Sequence, residues 1–148
     1  MTIREFLPSD RAEYLAMAKA FWSSDAVLAP VPDSQLEDTF ACAIKKSPYM
    51  RGYLIEDEGT AAGYFILTFT WYGEFGGEIV TLDEICIKPD RRGRGLGGRA
   101  IRWIVETFRD KKAVHLEVCP KNRRVMSLYE SLGFETLDYL QMYRRRDV

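Results

Sequence analysis

One histidine and three cysteines are the whole supply of soft ligands and thiol or imidazole nucleophiles in this chain. Cys42, Cys86 and Cys119 show no C-x-x-C spacing and are odd in number. That excludes a disulfide framework and a cysteine-based metal site, and the three read as buried thiols in a reducing compartment. No metal is expected. Excess charge of one sign is also missing: the formal net charge is -1, whereas a non-specific nucleic-acid binder is more often basic overall. No window approaches the apolar length of a membrane helix. The first residues, MTIREFLPSDRAEY, lack the apolar core of a secretory leader. Repeats, low-complexity runs and internal linkers are absent. These gaps point to one domain over residues 1–148, cytoplasmic, with no nucleic-acid and no membrane partner. With 47% apolar and 29% charged residues the composition is that of an ordinary globular chain.

What is present concentrates between Thr81 and Ile101, TLDEICIKPDRRGRGLGGRAI. Apolar Leu82, Ile85 and Ile87 read as a strand that stops at Lys88-Pro89-Asp90. Gly93, Gly95, Gly97 and Gly98 follow within six residues, flanked by Arg91, Arg92, Arg94 and Arg99. Glycine permits the positive φ of a tight turn and lets backbone approach a ligand closely. A helix that starts in such a turn aims unpaired N–H groups and the positive end of its dipole at one point. Strand, basic loop and helix in this order make an anion site. A Walker loop would end in Gly-Lys-Ser/Thr, which Gly97-Gly98-Arg99-Ala100 does not supply. A dinucleotide fingerprint is formally matched by Gly93-x-Gly95-x-x-Gly98. In that fold, however, the first glycine directly follows the strand, and here Lys88 to Arg92 intervene.

The remaining match is Arg92-Gly93-Arg94-Gly95-Leu96-Gly97, with the pattern Arg/Gln-x-x-Gly-x-Gly/Ala after an apolar strand ending in x-Pro. At this point the chain resembles the GCN5-related N-acetyltransferases (GNAT), whose acetyl-CoA loop has that pattern. A second segment, HLEVCPKNRRVMSLYESLGFE from His115 to Glu135, resembles the family's Leu-x-Val-x-x-x-Asn followed by Ala/Ser-x-x-Leu-Tyr-x-x-x-Gly-Phe. The resemblance is specific from Leu82 to Glu135 and matches only in outline before that.

Along the chain, Thr2 to Leu7 reads as a strand and Ser9 or Asp10 as a helix cap. Leu15, Ala18, Phe21 and Trp22 recur at helical spacing. A second helix is expected over Asp33 to Lys46, with a Ser34/Glu37 capping box and a Leu36, Phe40, Ile44 stripe. Arg51 to Glu58, Thr60 to Tyr72 and Glu78 to Lys88 read as three antiparallel strands. A helix bearing Leu96, Ala100, Ile104 and Phe108 follows, then a strand over Ala113 to Cys119. A last helix from Asn122 to Leu132 has Gly133 at its C-terminus. Phe134 to Arg145 is expected to add one or two strands. The order predicts an α/β fold. The resemblance implies a mixed, mostly antiparallel sheet of six to seven strands with about four helices on its faces.

The resemblance also implies roles. Acetyl-CoA would be the acyl donor, its pyrophosphate on the backbone of Arg92, Gly93, Arg94, Gly95, Leu96, Gly97 and Gly98. Ile85, Cys86 and Ile87 would offer backbone bonds to the pantetheine and the acetyl carbonyl, as an added strand edge does. Tyr129 would protonate the leaving thiolate and Asn122 would touch the donor, although Asn122 also fits a plain helix cap. The base must take a proton from an ammonium. Glu84 ranks first, with Asp83 and Glu117 behind it. By strand alternation Asp83 and Glu84 face opposite sides unless a bulge re-aims one of them. His115 fits a relay or an ordinary strand position.

Cys86 without a histidine in register reads as an inert thiol. Lys121, Arg123 and Arg124 are candidates for the 3′-phosphate. Trp71, Tyr72 and Glu74 are candidates for an acceptor pocket suited to a cation. No lysine or arginine lies between Tyr53 and Ile87, while Lys88 to Arg102 is strongly basic. That split favours a cationic small-molecule amine as acceptor. The same fold also serves as a catalytically silent CoA-binding or interaction module, or as a peptide N-terminal acetyltransferase. A homodimer through the C-terminal strands is a further expectation.

Overall fold

The computed structural model describes residues 1–146. In chain order the regular elements are β1 (Thr2–Glu5), α1 (Arg11–Trp22), α2 (Asp33–Ile44), β2 (Met50–Asp57), β3 (Thr60–Tyr72), β4 (Gly77–Ile87), α3 (Leu96–Thr107), β5 (Val114–Leu116) and α4 (Arg123–Ser131). The five strands lie in the order β1-β2-β3-β4-β5. The first four form an antiparallel meander, and β5 joins β4 in parallel after the α3 crossover.

β3 explains the layering. Its run from Ala62 to Leu67 is buried at every position, as a central strand covered on both faces must be. Tyr64 and Ile66 enter one core with Tyr14 and Met17 of α1 and Leu36 and Phe40 of α2. Phe65, Leu67 and Phe69 enter the other core with Ala100, Ile101 and Ile104 of α3 and Tyr129 of α4. Each buried aliphatic side chain of α3 contributes about 1.5–3 kcal/mol. The sheet is therefore held from both sides at the strand next to the one that carries the site.

Several local expectations need correction. The buried stripe of α1 is Tyr14, Met17 and Ala18, while Leu15, Phe21 and Trp22 sit at its margin. Asp10 does not cap α1. Its carboxylate takes the Arg4 guanidinium at 2.7 and 3.0 Å and the Leu7 N–H at 2.7 Å. The Ser34/Glu37 capping box does not form either: α2 has no side-chain cap, and Glu37 pairs with Arg11. β5 is only three residues long. Phe134 to Arg145 makes no strand, so among the described residues the sheet has five strands and not six to seven. With three residues in β5 there is little edge to pair with. Side chains hold this segment instead, with Tyr139 Oη donating to Glu74 at 3.0 Å and Gln141 Nε2 to Glu117 at 2.6 Å.

Candidate active site

The site begins with one extra residue in β4. Ile66 of β3 faces Glu84, but the next residue, Leu67, faces Leu82, so Asp83 has no partner. This is a β-bulge, and it reverses the alternation of side chains along β4. Before it, Val80 and Leu82 point to the α3/α4 core. After it, Ile85 and Ile87 do so, and Cys86 points to the α1/α2 core. Pairing of β4 with β5 covers only Val80–Leu82 against Val114–Leu116 and stops where the bulge begins.

Beyond that point β4 keeps its partner on one side only. The Lys88 N–H donates to the Ala62 carbonyl at 2.9 Å, which sets the hydrogen-bonding phase of the ladder. Glu84, Cys86 and Lys88 thus turn their backbone groups to β3, and Ile85 and Ile87 turn theirs to the open side. Cys86 offers that open edge nothing. The Ile87 carbonyl already accepts from Arg92 Nε at 3.0 Å.

The loop after β4 is built by two left-handed glycines, Gly93 (φ 75°) and Gly95 (φ 72°). A Cβ on either would meet no protein atom within 4 Å, and one on Gly97 would meet only Ile87 Cγ1 at 3.9 Å. The loop is therefore a cradle of bare backbone open on its outer side. α3 starts directly after Gly95, and its first bond runs from the Arg99 N–H to the Gly95 carbonyl at 3.0 Å. The N–H groups of Leu96, Gly97 and Gly98 precede the first bonded one and are available to an anion.

Gly98 also has a packing task, because Leu128 of α4 lies 3.5 Å from where its Cβ would be. The Leu96 side chain is core. The side chain of Arg94 is paired with acids of the β2–β3 turn: its guanidinium lies 2.9 Å from Asp57 and 3.0 Å from Glu58. Arg91 joins the same two acids and Thr60.

The three carboxylates differ in environment. Glu84 is 4% exposed, and its Oε2 accepts from Tyr64 Oη at 2.7 Å. Burial pushes its carboxyl up to about 7, opposed by the Tyr64 bond and assisted by the charge of Asp83. The Trp22 indole N–H leans toward the same group without completing a well-formed hydrogen bond. Asp83 reaches solvent, yet the protein around it and the charge of Glu117 hold its carboxyl above the ordinary range. Asp83 thus stands between the other two acids. Glu117 is exposed and bonded to Gln141. His115 pairs with Thr81 across the β4–β5 ladder, where Nδ1 lies 3.4 Å from the threonine hydroxyl.

On α4, Tyr129 is buried with its ring centroid 5.8 Å from that of Phe134, and burial raises its hydroxyl. Asn122 occupies the N-cap position of α4 but makes no side-chain cap bond, so its amide is not spent on the helix. Lys121, Arg123 and Arg124 are exposed beside it. Trp71 faces Glu78, four residues along β3 from the bulge, or about 13 Å. Trp71, Tyr72 and Glu74 therefore do not join the carboxylates. A separate hollow of about 300 Å3, lined by Glu5, Phe6, Ala43, Arg51 and Gly52, lies two strands away from β4.

Sequence reasoning missed Tyr64 and Trp22, which sit in apolar runs, and the acids Asp57 and Glu58, which read as turn residues. Only the hairpin register, which aligns Asp57 with Thr60, hints that this turn lies level with the loop.

Comparison with known proteins bears on the family and the fold. The model of the acetyltransferase (GNAT) family matches residues 14–134, which hold the loop, all three carboxylates and Tyr129. The thialysine N-epsilon-acetyltransferase of Bos taurus is 35% identical over 77 residues, 51% of this chain and 45% of that protein. A putative ribosomal protein bS18 alanine N-acetyltransferase of Bacillus subtilis is 32% identical over 101 residues, 67% of this chain and 63% of that protein. The chain thus spans about half to under two thirds of the length of these relatives. In fold, a possible acetyltransferase from Clostridium difficile 630 superposes with a TM-score of 0.83 at 15% identity, covering 99% of this chain and 97% of that one. AAC(6')-Iy in complex with a CoA-linked bisubstrate analogue superposes at 0.80 and 18% identity, covering 99% and 98%.

Proposed function

The chain belongs to the acetyltransferase (GNAT) family, and we propose that it moves the acetyl group of acetyl-CoA directly onto the primary amine of a cationic small molecule. The observation that carries this reading is the split beside the bulge. The backbone of Ile85 and Ile87 faces an open side there, with bare N–H groups at one end and three carboxylates at the other.

When bound, acetyl-CoA supplies the acyl group as a reactive thioester. The N–H groups of Leu96, Gly97 and Gly98 and the loop backbone from Arg92 to Gly95 hold its pyrophosphate. The Ile85 N–H and carbonyl and the Ile87 N–H align the pantetheine as a strand edge aligns a peptide, the Ile87 carbonyl being taken by Arg92. Asp83 and Glu117 attract the acceptor ammonium. Glu84, poised near 7, accepts at its carboxylate the proton that the ammonium must lose before nitrogen can attack, directly or through a water. The amine nitrogen then bonds to the acyl carbon, gives its surplus second proton to solvent water, and the carbon–sulfur bond breaks. The Tyr129 hydroxyl gives its proton to the departing sulfur and is restored from solvent. Cys86 carries no acyl group in this scheme: burial raises its thiol to about 11, and Sγ points at the Met17 carbonyl.

The relatives named thialysine N-epsilon-acetyltransferase carry a cationic amine in their name, which supports this acceptor class. The bacterial relative, named for a ribosomal-protein alanine, supports a second reading with a peptide N-terminal amine as acceptor. A thiol-release assay with acetyl-CoA against polyamines, aminoglycosides, lysine-type amines and N-terminal peptides separates the two. CoA binding alone is tested by melting temperature, which must rise with a ligand that binds only the folded chain. No shift at saturating acetyl-CoA overturns the proposal.

A further inference from the structure

Glu84 would be an improbable base if its surroundings were left to chance, because a buried carboxyl without partners stays neutral and free to change rotamer. Its surroundings are built. The bulge at Asp83 turns Glu84 to the α1/α2 face, where Tyr64 is its diagonal neighbour on β3, two residues from the directly opposed Ile66. Tyr64 is fully buried, and its ring is held by Tyr14 at 5.0 Å, edge on, and by Phe6 at 6.4 Å. A phenol in an apolar strand run needs a partner for its hydroxyl. Here that partner is Glu84 Oε2 at 2.7 Å.

We propose that Tyr64 is the positioning residue of proton transfer, its hydroxyl fixing the Glu84 carboxyl in the orientation from which it takes the acceptor's proton. This rests on Glu84 being the base. The groups that face Glu84 are Tyr64 from β3, Tyr14 and Trp22 from α1, and Asp83 and Cys86 from β4. α2 adds only the neutral Thr39, beside Tyr14. Among the described residues no lysine or arginine acts on the carboxyl, so hydrogen bonding is what favours its ionised form. Burial and the neighbouring carboxylate push the Tyr64 hydroxyl far above its ordinary range. It therefore stays a donor at every pH where the enzyme would work. The hydroxyl of Tyr14, sealed in the same core beside Thr39, makes no hydrogen bond to Glu84 and gives a packing-matched control.

The test is the pH profile of kcat at saturating acetyl-CoA and amine. Wild type should show an acid limb near 7, and Glu84→Gln should lose it; a limb that persists in Glu84→Gln overturns the base itself, whatever Tyr64 does. Tyr64→Phe keeps the ring and removes one bond to a charged group. It should move the limb up by about one pH unit and lower the plateau roughly three- to thirtyfold, as the carboxyl loses its fixed orientation. Tyr14→Phe should leave the limb in place. A wild-type limb in Tyr64→Phe, or an equal shift in Tyr14→Phe, overturns the assignment. Should Tyr64→Phe not fold, a ring-fluorinated tyrosine at position 64, a stronger donor of nearly the same shape, should move the limb down. An unmoved limb there overturns the assignment equally.

Discussion

Arg94 of the glycine loop lies 2.9 Å from the Asp57 carboxylate at the end of β2, so the proposed phosphate cradle is tied to a turn more than thirty residues earlier. Arg91 reaches the same acids. Two loop arginines are thus paired with the acids of the β2–β3 turn. Asp57→Asn should raise the KM for acetyl-CoA by roughly three- to tenfold and leave kcat near wild type, because it loosens a binding element and not the reacting groups. Steady-state kinetics checks this. A fall in kcat with KM unchanged would assign Asp57 elsewhere.

Gly95→Val places a branched side chain on the outer side of the cradle, at a backbone φ of 72° that valine resists. CoA binding, followed by calorimetry, should be lost while the circular dichroism spectrum stays that of a folded chain. Retained affinity would put the donor elsewhere.

Protonation of Glu84 links pH to stability. Its ordinary value is 4.5 and its folded value is about 7, so between these the folded chain holds a proton that the unfolded chain has released. Stability must therefore fall as pH rises from about 4.5 to 7, by up to roughly 3 kcal/mol. Glu84→Gln should flatten that stretch of the stability curve in urea unfolding and be the more stable protein at pH 8. Equal slopes for both proteins would show that Glu84 is not held above its ordinary range.

Tyr129→Phe keeps the contact with Phe134 and removes only the hydroxyl. CoA affinity should persist while kcat falls by roughly ten- to a thousandfold. An unchanged rate under chemistry-limited conditions would return Tyr129 to the core.

The loop and the helix faces were legible because their signals are local. Gly93 and Gly95 announce positive φ by being glycine, and Leu96, Ala100, Ile104 and Phe108 announce a buried face by spacing. The bulge at Asp83 was not legible, since it is a mismatch in count between β3 and β4 that neither strand carries alone. For the same reason Asp83 and Glu84 could not be assigned to faces beforehand. Ser34 and Glu37 had capping spacing, but tertiary structure took Glu37 for Arg11. Phe134 to Arg145 had the β-branched and aromatic content of strands and no ladder to join, because β5 ends after Leu116. Tyr64 read as one more aromatic in an apolar run until the register set it beside Glu84.

The most direct measurement is thiol release from acetyl-CoA with a panel of amines at low and high salt, with each product identified by mass. Polyamines and lysine-type amines should be acetylated once per thiol released. Their KM should rise with ionic strength, as screening weakens the pull of Asp83 and Glu117. No thiol release with any amine, or a preference for a free anionic amino acid without salt dependence, would contradict the account.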